Sequence, residues 1–109
     1  MSHVLRIRPA AETDVDDAAL YIAQDNLPAA LRFYDAVDRT FRLIRETPNR
    51  WPRCEFDHPQ LADVRKRAVD GFKNYLVFYS VRGRNVDVIR VLHGARDIPS
   101  VLADDFAEP

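Results

Sequence analysis

The side chains in this sequence whose types and spacing could do chemistry gather in two stretches near the C-terminus. One is the basic run Arg65-Lys66-Arg67, and the other is Val88-Ile-Arg-Val-Leu-His-Gly-Ala-Arg-Asp-Ile-Pro99, in which Arg90, His93 and Arg96 interrupt or follow an apolar segment. Brought together, five cations and an imidazole could hold a phosphate or receive an acidic peptide. A lone histidine at a strand end is more often packed or solvated than a general base. No second histidine stands at metal-ligand spacing from His93, so no metal or other cofactor is expected. Neither a phosphate-cradling glycine loop nor a Gly-x-Ser-x-Gly nucleophile context occurs.

Whether those groups meet depends on the elements that carry them. Leu5 and Ile7 alternate with Val4, Arg6 and Arg8, the pattern of a short half-buried strand that Pro9 ends. From Pro9 to Asn26 the apolar residues recur at helical spacing (Val15, Ala18 or Ala19, Ile22), with Asp14, Asp16 and Asp17 toward the positive end. A second helix has Pro28 in its first turn, an apolar stripe of Ala30, Phe33, Val37, Phe41 and Ile44, and Pro48 as its stop. So short a connection folds the two helices into an antiparallel hairpin. Asp35 with Arg39 and Asp38 with Arg42 read as weak i,i+4 pairs on its solvated side.

Residues 49–63 contain two prolines and no period, which makes them a loop where Trp51 lids the core. Three strands are expected next, at 64–69, 74–81 and 86–93, with a tight turn at Arg82-Gly-Arg-Asn85. Strict alternation puts Arg90 on one face with Val86, Val88 and Leu92, and Ile89, Val91 and His93 on the other. The pattern leaves open which face meets the helices. If Ile89 and Val91 do, Arg90 projects from the open face beside Arg65, Lys66 and Arg67 as part of one basic patch. Over residues 97–109, a short helical turn starting at Pro99 and reaching Ala103, then a mobile acidic tail, completes the chain. The expected fold is α+β: a strand, an antiparallel two-helix hairpin, then a three-stranded antiparallel sheet with the helices packed on one face.

Composition bounds the function. The 109 residues suit one domain spanning 1–109. Sixteen Lys and Arg against 17 Asp and Glu give a net charge of -1, which disfavours direct binding to nucleic acid, where neutralised phosphates drive affinity. No apolar run approaches the roughly 20 residues of a membrane span. The N-terminal residues show no apolar h-region and the single Cys54 has no disulfide partner, so a cytoplasmic protein is expected.

The opening RPAAETDVDDAALYIAQDN, the segment GFKNYLVFYSV and above all VIRVLHGARDIPSVL resemble the RelE/ParE superfamily of bacterial type II toxins, and the last stretch is most similar to the ParE branch. The resemblance runs from Leu5 to about Leu102. It implies a small toxin held inactive by a cognate antitoxin that also binds the operon's DNA, so that operator DNA is reached only through the antitoxin. RelE-like members cleave mRNA on the ribosome without a metal, whereas ParE-like members inhibit DNA gyrase by protein contact.

Arg65, Lys66, Arg67 and Arg96 fall where RelE-like members keep basic groups, but two of that branch's positions differ here. The arginine at the start of the middle strand is replaced by Tyr75 or Leu76, and the tyrosine after Arg96 by Leu102. The resemblance therefore implies a gyrase inhibitor, with ribosome-dependent endoribonuclease activity through Arg65, Lys66, Arg67, Arg90, His93 and Arg96 as the alternative. An antitoxin segment that orders on binding needs apolar anchors and paired charges, and a groove between the hairpin and the sheet edge is expected to receive it, with Ile22, Phe33, Val37 and Trp51 as its apolar surface and Arg65, Arg67, Arg90 and Arg96 as its rim.

Overall fold

The computed structural model describes residues 3–107. Its elements follow in the order β1 (Val4–Ile7), α1 (Pro9–Ala23), α2 (Leu27–Glu46), a 3₁₀ turn (Pro59–Leu61), β2 (Arg65–Val69), β3 (Phe72–Arg82), β4 (Asn85–His93) and α3 (Ile98–Ala107). Prolines set the helix starts, since Pro9 and Pro28 occupy first-turn positions whose amide would have no partner anyway. Asn26 caps α2 by accepting the amide of Ala29 at 3.0 Å. The turn between β3 and β4 bends at Gly83, whose φ of 58° favours glycine.

The fold is α+β, with one correction to the expected sheet. It has four strands in the order β1-β4-β3-β2, and β1 runs parallel to β4 while the other pairs are antiparallel. The reason is an accounting of backbone groups. The β3–β4 hairpin uses one side of β4, and β1 pairs its other side, with Val4 donating to Arg84 O at 2.7 Å and Arg8 to Val88 O at 3.0 Å.

The α1–α2 hairpin covers one face of the sheet. Ala11, Val15, Phe33, Val37, Phe41 and Ile44 pack there against Val77, Tyr79, Val86, Val88 and Val91. Contrary to the expectation of an open second face, that face carries a core of its own, in which Phe78, Ile89 and Leu92 meet Cys54, Leu61, Val64, Ile98 and Leu102. The terminal helix supplies this cover because Ile98 and Leu102 are spaced i,i+4 and share one of its sides. It is ten residues long rather than a single turn ending at Ala103, and the end of the expected tail, residues 108–109, lies outside the described residues.

Strict alternation along β4 fails at one point. Tyr79 pairs with Val88 and Phe78 with Arg90, so Ile89 is an extra residue in a β-bulge. Val86, Val88 and Val91 therefore face the hairpin, while Ile89 and Leu92 face α3. Val91 and Ile89 do not share a face, and the conditional placement of Arg90 on an open face falls with that assumption.

Candidate functional site

The site is built on the half of β4 that β1 does not reach. The parallel pairing ends at Ile7 with Val88, and the chain turns into α1 at Pro9. Beyond Val88, an amide on that side of β4 needs another acceptor, and Asp14 of α1 supplies it. Its carboxylate accepts the amide of Val91 at 3.0 Å and takes the Arg90 guanidinium on both oxygens at 2.7 and 2.8 Å. Asp14 is only 8 % exposed, so the pair is largely removed from water. Arg90 is thereby tied to α1, and the expected basic patch loses it.

Past this clasp, α1 and the end of β4 border a groove of about 490 Å³. Asp17, Tyr21, Tyr75, His93, Ala95 and Arg96 line it. His93 accepts the amide of Ala95 on Nδ1 at 3.1 Å, which holds the ring in place and leaves Nε2 to carry the proton. The ring stands edge-on to Tyr75 at 5.2 Å, and Tyr75 in turn packs on the buried Phe33 at 5.1 Å. Burial, and then the neighbouring Tyr21, push the Tyr75 hydroxyl above its ordinary pKa. An aromatic wall with one exposed acid, Asp17, and one exposed cation, Arg96, suits a peptide segment that brings apolar and charged side chains.

The other expected site residues lie elsewhere. Arg65 donates to the carbonyls of Trp51 and Asn49, and Arg67 donates to the Ala68 carbonyl with its guanidinium 5.1 Å from the centre of the Trp51 ring. Arg50 also lies over that ring, at 5.5 Å. Lys66 is exposed and near enough to Cys54 to lower its thiol pKa, although burial, the larger influence, pushes it up to about 11. Lys66 and Arg67 line a second, open groove with Trp51, Lys73 and Leu76. The five cations expected in one patch are thus divided among the Trp51 groove, the Asp14 clasp and the α1–β4 groove.

Of the four residues expected to form the apolar floor for the antitoxin, Phe33 and Val37 are consumed by the core, at 0 % and 3 % exposed. Ile22 and Trp51 are half-buried against it. Tyr21 and Tyr75 were not among the residues expected in a binding site. Tyr21 lies off the helical stripe that meets the core, and such an off-stripe aromatic was the available signal. Among the described residues, no three His, Cys, Asp or Glu side chains converge as a metal ion would need, and no helix is long and apolar enough to cross a membrane.

Residues 5–98, from β1 to the start of α3, match the family described as ParE toxin of type II toxin-antitoxin system, parDE. The chain belongs to the ParE toxin family. The matched span contains every residue named in the α1–β4 groove and in the Asp14 clasp. A solved structure titled "Chromosomal ParDE TA system from P. aeruginosa" has the same ParE-type fold at a TM-score of 0.69, with 15 % identity over 84 % of this chain and 95 % of that one. No curated protein sequence matches this chain. Most of α3 lies past the ParE match, yet it covers the second face of the sheet.

Proposed function

We propose that this ParE-family chain acts in the cytoplasm as a single-domain toxin that inhibits DNA gyrase by direct protein contact and is neutralised by a cognate antitoxin. The observation that carries the reading is the α1–β4 groove, where Tyr21, Tyr75, His93 and Arg96 line one surface at the start of the HGARDIP segment that resembles the ParE branch. Its groups are suited to binding. His93 spends Nδ1 on a backbone amide, and Arg90 spends its guanidinium on Asp14. Cleavage of RNA needs a base, an acid and cations around one phosphate. Here Arg65 and Arg67 are engaged around Trp51, whereas His93 and Arg96 line a different groove.

The antitoxin's binding segment is then a chain that is disordered when free and orders on the toxin, with apolar anchors against Tyr21 and Tyr75 and an acid toward Arg96. Operator DNA is contacted by the antitoxin, in keeping with this chain's net charge of -1. Induction of the chain in a bacterial host tests the reading in the cell. Growth arrest with loss of negative supercoiling in a reporter plasmid, relieved by co-expressing the neighbouring open reading frame, is expected; arrest with supercoiling intact would reject gyrase as the target.

A further inference from the structure

The outer face of the helical hairpin, away from the sheet, exposes Leu20, Leu27, Leu31 and Tyr34 at 68, 61, 62 and 40 %. Leu27, Leu31 and Tyr34 are spaced i, i+4, i+7 and lie on one side of α2. The Tyr34 hydroxyl donates to Asp16 at 2.7 Å, which sets the register of the two antiparallel helices. One turn past Asp16, Leu20 then comes level with the turn that holds Leu31. The four side chains make a strip along the seam between α1 and α2. Single exposed leucines are ordinary, but a contiguous strip marks a contact surface.

The helical hairpin that carries this strip is mostly acidic. Residues 9–38 hold seven acids and a single arginine, a net of -6 in a chain whose total is -1. Asp14 is taken up by Arg90 and Asp17 and Asp35 line other grooves, but the exposed Glu12, Asp16 and Asp38 lie together beside Tyr34, with no cation among the described residues of that cleft. The Tyr34 hydroxyl responds to this surrounding, its pKa raised first by the hydrogen bond to Asp16.

We infer that the hairpin's outer face docks a basic amphipathic helix of a partner protein, its apolar side chains at i, i+3 or i+4 and i+7 lying along the α1–α2 seam and its lysines or arginines over the acids beside Tyr34. The charge selects this occupant over the others. A second copy of the chain would set two acidic hairpins against each other, and anionic lipid or nucleic acid would meet the same repulsion. A helix satisfies both the length of the strip and its sign. The face is separate from the α1–β4 groove, and the inference stands whichever cellular target that groove serves.

A synthetic helical peptide of leucine and lysine in amphipathic order, titrated against the full chain by fluorescence anisotropy and backbone-amide NMR, tests this. Shifts confined to residues around Leu20, Leu27, Leu31 and Tyr34 are expected, with affinity falling at least about tenfold in L27S/L31S, since each leucine buried contributes more than the ~1.4 kcal/mol of one decade. A similar fall is expected in D16N/D38N, where the amide oxygen at position 16 can still accept from Tyr34. A glutamate-for-lysine version of the peptide is expected not to bind. All four substitutions are at exposed positions, and urea midpoints close to the parent's show that the fold is kept. Unchanged affinity in L27S/L31S, or shifts centred on the α1–β4 groove, would overturn the inference. So would a dimer of the chain alone that L27S/L31S disperses, because the occupant would then be a second copy.

Discussion

Asp14 and Arg90, 76 residues apart in the chain, close on each other through two hydrogen bonds of 2.7 and 2.8 Å, and the same carboxylate accepts the amide of Val91. One acidic side chain thus fastens α1 to the sheet where β1 has run out. Removing one member of a largely buried pair leaves the other charge without its partner, at a cost near the top of the range for single substitutions. Asp14→Ala is expected to lower the unfolding free energy by about 3 kcal/mol in urea titrations. Asp14→Asn should cost less, because its carbonyl oxygen can still accept from Val91. Asp14→Leu combined with Arg90→Met should be milder than Asp14→Ala, since no buried charge is stranded.

Stability should fall in alkali through two buried groups. Burial pushes the Cys54 thiol from 9.0 up to about 11 and the Tyr79 hydroxyl from 10.0 up to about 12. The unfolded chain therefore gives up these protons first, so their contribution is intact below pH 9 and is lost as the pH rises through 12. Tyr79 also donates to the Pro48 carbonyl at 2.8 Å. Tyr79→Phe should lower stability at neutral pH by about 1 kcal/mol and flatten the decline between pH 10 and 12. Thermal melts across that range check both effects, and an undiminished slope would remove Tyr79 from the alkaline transition.

Trp51 is the chain's one tryptophan and reports on the β2 edge without a label. Arg67 lies 5.1 Å and Arg50 5.5 Å from its ring centre. Arg67→Ala should change the emission spectrum and cost about 1 kcal/mol. Emission identical to the parent's would show that the guanidinium does not stay over the ring in solution.

Much of the fold was legible because prolines punctuate it. Pro9, Pro28 and Pro48 mark helix limits that hold to within a few residues, and the strand expected at 74–81 lies within β3. The sheet was less legible. A four-residue β1 gives no local sign of whether it pairs parallel or antiparallel, and the bulge at Ile89 breaks the period on which the faces of β4 were assigned. That bulge is also why Arg90 was placed among surface cations. Asp14 reads as one more acid at a helix start, and only the tertiary fold shows it meeting β4. His93 and Arg96 do lie in one groove, but Tyr21 and Tyr75, which give it an aromatic wall, come from elements distant in the chain.

The division of the basic residues predicts different outcomes for two charge reversals. Arg96→Glu, on an exposed side chain in the α1–β4 groove, should weaken antitoxin binding by at least about tenfold with little change in stability. Arg65→Glu should mainly loosen the loop at Trp51, whose carbonyl Arg65 binds, and so lower stability more than affinity. Calorimetric titration beside urea unfolding separates the two. The opposite ranking would move the antitoxin from the α1–β4 groove to the Trp51 groove.

The proposed inhibition of gyrase by contact is tested in a supercoiling assay with purified gyrase, relaxed plasmid and the purified chain. Supercoiling should cease as the chain approaches stoichiometric excess over gyrase, return when the cognate antitoxin is added, and persist when Arg96→Glu replaces the parent. Full supercoiling at a large excess of the parent chain, together with ribosome-dependent cleavage of mRNA by the same preparation, would contradict it.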